Sequence, residues 1–350
     1  MIIGIAVAIV GFSTDKIEAG VFGIILFAMA ACYAWAVWSR IPFAAMNLVT
    51  ASTAIKSNLG LTFFAYAAIF INGLWLLFWS ASAFSTIFVK CGYDAEIEAC
   101  QDEVNPVYYF FFILSLYWTI QIIKNVVHVT VAGTVGTWWW TPLEASGCCS
   151  KGVRDSHNRA LTYSFGSICF GSLLVAIVQT LKQFAESARE ADDGLLRCLA
   201  DCILGCLETI MEMFNEWAFV YVGLYGYSFI DAAKNVFTLL KSRGWTVIIT
   251  DYIVDRVLMM LSFGNGLLNG ACAAYISYAF NLNLEAEAFT VGFFIGILLT
   301  STVLGLVSSG VNTVIVCYAE DPAIFEVNHY ELSLRMRDTW RVAFPDQFAY

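Results

Sequence analysis

The chain has 350 residues, of which 59% are hydrophobic and 13% charged, and its formal net charge is −10. That composition excludes a soluble globular domain, and the acidic balance gives no support to a nucleic-acid partner. Apolar runs of roughly twenty residues recur with no proline inside them, which identifies an all-α polytopic membrane protein.

The first run, Met1–Phe12, crosses only about 18 Å at ~1.5 Å per residue, so it is either part of a span or interfacial. It has neither the basic cluster nor the small-residue cleavage site of a signal peptide. Full-length spans are expected at Val21–Trp38, Leu61–Val89, Val107–Thr130, Leu161–Phe184, Trp217–Leu240, Val257–Phe280 and Ala288–Cys317. With the partial first run the expected bundle has about eight segments. No domain boundary interrupts it, so residues 1–318 are expected to form one membrane domain, followed by a charged, partly helical tail over 319–350.

Basic residues concentrate in alternate connections, at Arg40, Lys56, Lys151, Arg154, Arg159, Lys241, Arg243, Arg256, Arg335, Arg337 and Arg341. Those connections and the C-terminus are assigned to the cytosol. Acidic residues gather in the opposite set, including Asp94, Glu96, Glu98, Asp102 and Glu103; that face either concentrates cations at an entrance or is acidic simply because acidic residues resist translocation less. Cys91 and Cys100 share one of these outer loops, where an oxidising compartment would preserve a disulfide between them. Cys148 and Cys149 lie in a cytosolic loop, a position suited to palmitoylation.

Polar side chains at membrane depth carry the functional information, because an unpartnered polar group in hydrocarbon costs several kcal/mol. In Val107–Thr130, Trp118, Gln121, Asn125 and His128 follow at steps of three, four and three, which puts them on one helix face. Lys124 lies off that face and is expected to meet a carboxylate from a neighbour or to snorkel. In Trp217–Leu240, Tyr221 and Tyr225 share a face, Gly223 and Gly226 interrupt the run, and Asp231 and Lys234 are spaced to pair. Trp118 on one helix facing Tyr221 and Tyr225 on another would form a cage for an organic cation, held by cation–π attraction. An interfacial aromatic belt is the other reading of these rings. Glu208, Glu212 and Glu216 precede them at steps of four, as a cation-guiding ladder or, the preferred reading, as the wet side of an amphipathic outer helix. No metal or cofactor is expected: no phosphate-binding loop, HExxH pattern or nucleophile elbow occurs.

Four blocks in order carry a resemblance: NVVHVTVAGTVGTWWW (Asn125–Trp140), SFGSICFGSLLVAIVQ (Ser164–Gln179), the stretch from Cys206 to Leu240, and CYAEDPAIFEVNHYEL (Cys317–Leu332). Together they are similar to the choline-transporter-like solute carriers, with wording closest to fungal, algal and plant-type members. The resemblance implies facilitated or proton-coupled movement of choline or a related amine such as ethanolamine across a plasma or organelle membrane. It also implies a ten-span fold with a large outer loop after the first span; the first two spans and that loop have no counterpart here, and Met1–Phe12 corresponds to the third. The substrate-lining residues expected are Trp118, Gln121, Asn125, His128, Tyr221 and Tyr225, with lipid and a choline-like cation as the partners. The competing expectation is a structural or regulatory membrane protein that transports nothing.

Overall fold

The computed structural model describes residues 17–90, 106–187, 194–244, 253–280 and 284–344, with the isolated positions 5, 9 and 13. The disulfide expected between Cys91 and Cys100 falls outside these residues. Among the described residues there is no strand. The helices are α1 (Ile17–Val37), α2 (Ile41–Lys56), α3 (Gly60–Lys90), α4 (Pro106–Trp140), α5 (Lys151–Leu161), α6 (Phe165–Ser187), α7 (Gly194–Tyr225), α8 (Phe229–Ser242), α9 (Ile253–Ala279), α10 (Glu285–Glu320), α11 (Pro322–Asn328) and α12 (Tyr330–Ala343).

Five of these are long and apolar enough to cross a membrane by length and composition, at Gly60–Thr86, Val107–Trp140, Phe165–Gln183, Ile253–Ala279 and Glu285–Glu320. Their outward sides carry large apolar groups such as Phe63, Phe70, Leu77, Met259 and Leu268, as a lipid-facing surface requires. The α4 helix sits at the centre, packed on α3, α5, α6, α7 and α10. Small-residue contacts bring α9 along α10, with Gly266 and Gly270 against Phe293 and Phe289, and Gly292 and Gly296 against Asn269.

The expected span Trp217–Leu240 is corrected. The helix that enters the bundle is α7, which ends at Tyr225, and a separate amphipathic helix, α8, begins at Phe229. Gly226 makes the break, with φ of 71°, a conformation that costs a glycine little. Ser228 then caps α8 by accepting from the Asp231 amide, and its hydroxyl donates to Asp231 Oδ2 at 2.6 Å. The Asp231–Lys234 pair is therefore also corrected: the carboxylate serves the cap, and no ion pair joins the two residues.

The tail folds back onto the bundle. Phe325 stacks on Trp139 at 3.9 Å, and Trp340 is fully buried with its indole N–H donating to Asn47 Oδ1 at 3.2 Å. Asn328 and His329 reach the last carbonyls of α4, Asn328 donating to Trp139 and Trp140 and His329 bonding Trp138 at 3.1 Å. These bonds satisfy backbone acceptors that a helix end otherwise leaves open. Burial lowers the pKa of His329, while its bond to the Trp138 carbonyl acts the other way.

Candidate functional site

The polar face of α4 divides between two tasks. Trp118 donates its indole N–H to the Cys169 carbonyl at 2.9 Å, Gln121 bonds Gln179 at 3.3 Å, and Asn125 donates to Ser172 Oγ at 2.9 Å. All three partners lie on α6, so this part of the face braces α4 against α6. His128 turns the other way, into the space between α7 and α10. Its Nε2 lies 3.1 Å from the Glu216 carbonyl and its Nδ1 lies 2.8 Å from Ser309 Oγ. A carbonyl only accepts, so Nε2 carries the hydrogen, and in the neutral ring Nδ1 accepts from the Ser309 hydroxyl.

Beside His128 a cavity of about 370 Å³ opens between α3, α4, α7 and α10. Its wall holds Lys124, His128, Glu216, Ser309, Asn312 and Asn72. The Glu216 carboxylate accepts from Asn312 Nδ2 at 3.4 Å. Lys124 makes no ion pair or hydrogen bond among the described residues, so its ammonium and the Glu216 carboxylate face one cavity without closing on each other. Asn72 contributes a buried Oδ1 with no partner, an acceptor directed at whatever fills the space. Two further spaces adjoin the cavity. A neck of about 20 Å³ shares Ser308 and Asn312 with it and is lined by Trp217, Phe43 and Asp255. A groove of about 310 Å³ between α9 and α10 shares Ser301, Gly305 and Ser308. Asp255 accepts from Ser308 at 2.6 Å, so a second carboxylate lies just beyond the first.

Around the cavity α4, α7 and α10 run in the same direction, and α3 runs against them. His128 meets Glu216, and further along Gly133 and Gly136 meet Gly223 and Leu224, so α4 and α7 advance in parallel. Trp118 is thus about 20 Å along the bundle from the level of Tyr221, at ~1.5 Å per residue over thirteen residues. The structure does not bring Trp118 together with Tyr221 and Tyr225. The tyrosines instead lie at the end of α7, where Tyr221 donates to Glu320 Oε2 at 2.7 Å. Of the six residues expected to line a pathway, His128 is the one on the cavity wall.

Glu216, for which the wet side of an outer helix was the preferred reading of the sequence, lies on the cavity wall. Its two companions are spent on helix packing, Glu208 paired with Lys182 at 2.7 Å and Glu212 accepting from Gln179 at 3.5 Å. The signal that pointed to it was Lys124, a lysine at membrane depth expected to meet a carboxylate from a neighbour or to snorkel.

A family model described as "Plasma-membrane choline transporter" matches residues 21–323. A CTL-like protein of Dictyostelium discoideum is 35% identical over 298 residues, covering 82% of this chain and 50% of that protein. Proteins named PNS1 are also similar: that of Gibberella zeae is 33% identical over 330 residues, covering 87% of this chain and 59% of its own, and that of Debaryomyces hansenii is 29% identical over 320 residues, covering 85% and 62%. The chain spans between half and two thirds of the length of these relatives.

Proposed function

This multi-pass integral membrane protein belongs to the choline transporter-like family, and on that premise we propose that it carries a small amine, choline or a relative such as ethanolamine, through the cavity beside Glu216. The observation that carries the proposal is the unclosed pair of Lys124 and Glu216 on one cavity wall. A carboxylate in a low-dielectric interior requires a counter-charge, because its desolvation costs several kcal/mol. Lys124 supplies one from a tethered position, and an incoming ammonium supplies a better placed one. Substrate entry then pairs Glu216 directly, which Lys124 at its distance does not, and substrate departure leaves Lys124 as the nearest positive charge on the wall.

The wall mixes aliphatic residues such as Ile69, Val127 and Leu306 with the polar groups, and apart from His128 it carries no aromatic ring. It therefore suits a ligand with a hydroxyl or N–H donor, for which the open acceptor of Asn72 is available. His128 fastens α4 to α7 and α10, so its side chain ties the cavity wall together. Beyond the cavity, Asp255 at the neck offers the cation its next carboxylate on the way to the basic end of the bundle. Trp217 and Phe43 narrow that neck, as a closed gate would.

The test is radiolabelled choline uptake into proteoliposomes containing the chain, with unlabelled ethanolamine as competitor. Saturable, competed uptake is the expected result. Folded, inserted protein without saturable flux would favour a structural or regulatory protein, and a non-saturating, voltage-driven current would favour a channel.

A further inference from the structure

Tyr221, Tyr225 and Tyr227 are mutual neighbours at the break between α7 and α8. Ring centroids are 5.1 Å apart for Tyr221–Tyr225, 5.8 Å for Tyr225–Tyr227 and 6.4 Å for Tyr221–Tyr227. Tyr221 is buried, whereas Tyr225 and Tyr227 are 42% and 44% exposed. The Glu320 carboxylate lies 2.7 Å from the Tyr221 hydroxyl and is held there by it. Among the described residues no basic side chain pairs with Glu320.

The backbone adds to the negative potential. Both α7, ending at Tyr225, and α10, ending at Glu320, bring their C-termini to this place, and neither has a basic residue in its last turn. A helix C-terminus carries a partial negative charge that lysine or arginine ordinarily offsets. Here a glutamate is added to two such ends, and no basic residue in either last turn offsets them. Three electron-rich ring faces beside an uncompensated carboxylate favour a cation without N–H donors, which aromatic faces hold and hydrogen bonds cannot. An interfacial aromatic belt accounts for tyrosines at this depth, but it gives no role to the uncompensated Glu320.

We propose that Tyr221, Tyr225, Tyr227 and Glu320 form a second cation site, specific for quaternary ammonium groups, at the end of the bundle that carries Arg154, Arg159, Arg335 and Arg337. The site is separate from the cavity beside Glu216 and does not depend on transport through it. It would hold an ammonium head at the mouth while the cavity binds another.

The experiment is titration of the detergent-solubilised chain with tetramethylammonium, followed by calorimetry, in a Glu216→Gln background that disables the central cavity. Binding that persists in this background is the expected result. Added Glu320→Gln, or Tyr225→Leu with Tyr227→Leu, weakens it by on the order of tenfold or more. Tyr225→Phe with Tyr227→Phe retains it, because the rings and not the hydroxyls hold the cation, and a melting temperature equal to that of the Glu216→Gln background shows that each variant folds. Binding unmoved by Glu320→Gln and by the leucine pair would overturn the proposal, as would displacement of tetramethylammonium by potassium at equal concentration. Failure of choline uptake alone would count against the central cavity and leave this site standing.

Discussion

Gly223 sits where α7 crosses α4, and replacing it with alanine tests whether the two helices hold the cavity in shape. A Cβ at this position would lie 2.7 Å from Ala132 Cβ and 2.8 Å from the Val129 carbonyl oxygen, short of ordinary 3.4 Å contact by 0.7 Å against alanine. Neither a methyl group nor a backbone carbonyl can swing aside, so the helices must part. His128 and Glu216 lie about two turns away on the same pair of helices, and their 3.1 Å bond would stretch to about 3.8 Å, past the limit of a hydrogen bond. Overpacking of this kind costs about 1–3 kcal/mol, offset by up to ~1 kcal/mol from the better helix propensity of alanine. Gly264 provides the control, because a Cβ there meets nothing within 4 Å and alanine brings only the gain. Thermal unfolding in detergent should place Gly223→Ala about 2–6 °C below Gly264→Ala, and uptake should fall in the first variant only. Equal melting temperatures with equal uptake would refute the close crossing.

Three other outcomes follow from the same contacts. Trp340→Ala removes a fully buried indole packed on Phe43 and Tyr318 and should cost about 3–5 kcal/mol, read as a lower melting temperature and faster proteolysis of the tail; wild-type behaviour would contradict the docking. His329 has a depressed pKa in the folded chain, so its neutral form favours docking. That contribution is present above the ordinary histidine value of about 6.5 and is lost as pH falls through the folded pKa. Hydrogen-exchange protection over Pro322–Ala343, corrected for the intrinsic pH dependence of amide exchange, should therefore fall between pH 7.5 and 5.5, and His329→Gln should remove the change. His128→Ala leaves the Ser309 hydroxyl and the Glu216 carbonyl without this partner and should destabilise by about 1–3 kcal/mol; an unchanged melting temperature would remove His128 as a tie between helices.

The helical membrane class was legible because twenty-residue apolar runs have few other uses, and the small-residue contacts of α9 and α10 could be read from glycine spacing. The end of α7 was only half legible. Gly226 marked an interruption, but apolar residues on both sides hid that α8 is a separate amphipathic helix. The polar face of α4 was visible in the spacing, yet spacing does not say which neighbour a face meets, and Gln121 and Asn125 found α6. Glu216 was hidden by its regular spacing with Glu208 and Glu212, which looks like one wet stripe. Only packing separates them, since Lys182 and Gln179 take the first two and the cavity takes the third. Tyr221 and Tyr225 were read as partners of Trp118 because helix register alone carries no information on relative height.

The most direct measurement is concentration-dependent choline uptake into proteoliposomes by the parent chain and by Glu216→Gln, with equal insertion and equal melting temperature as controls. The account predicts saturable uptake by the parent and a loss of at least tenfold in the variant, since the glutamine retains the bond to Asn312 but not the charge that receives the substrate. Uptake by Glu216→Gln equal to that of the parent would contradict the account.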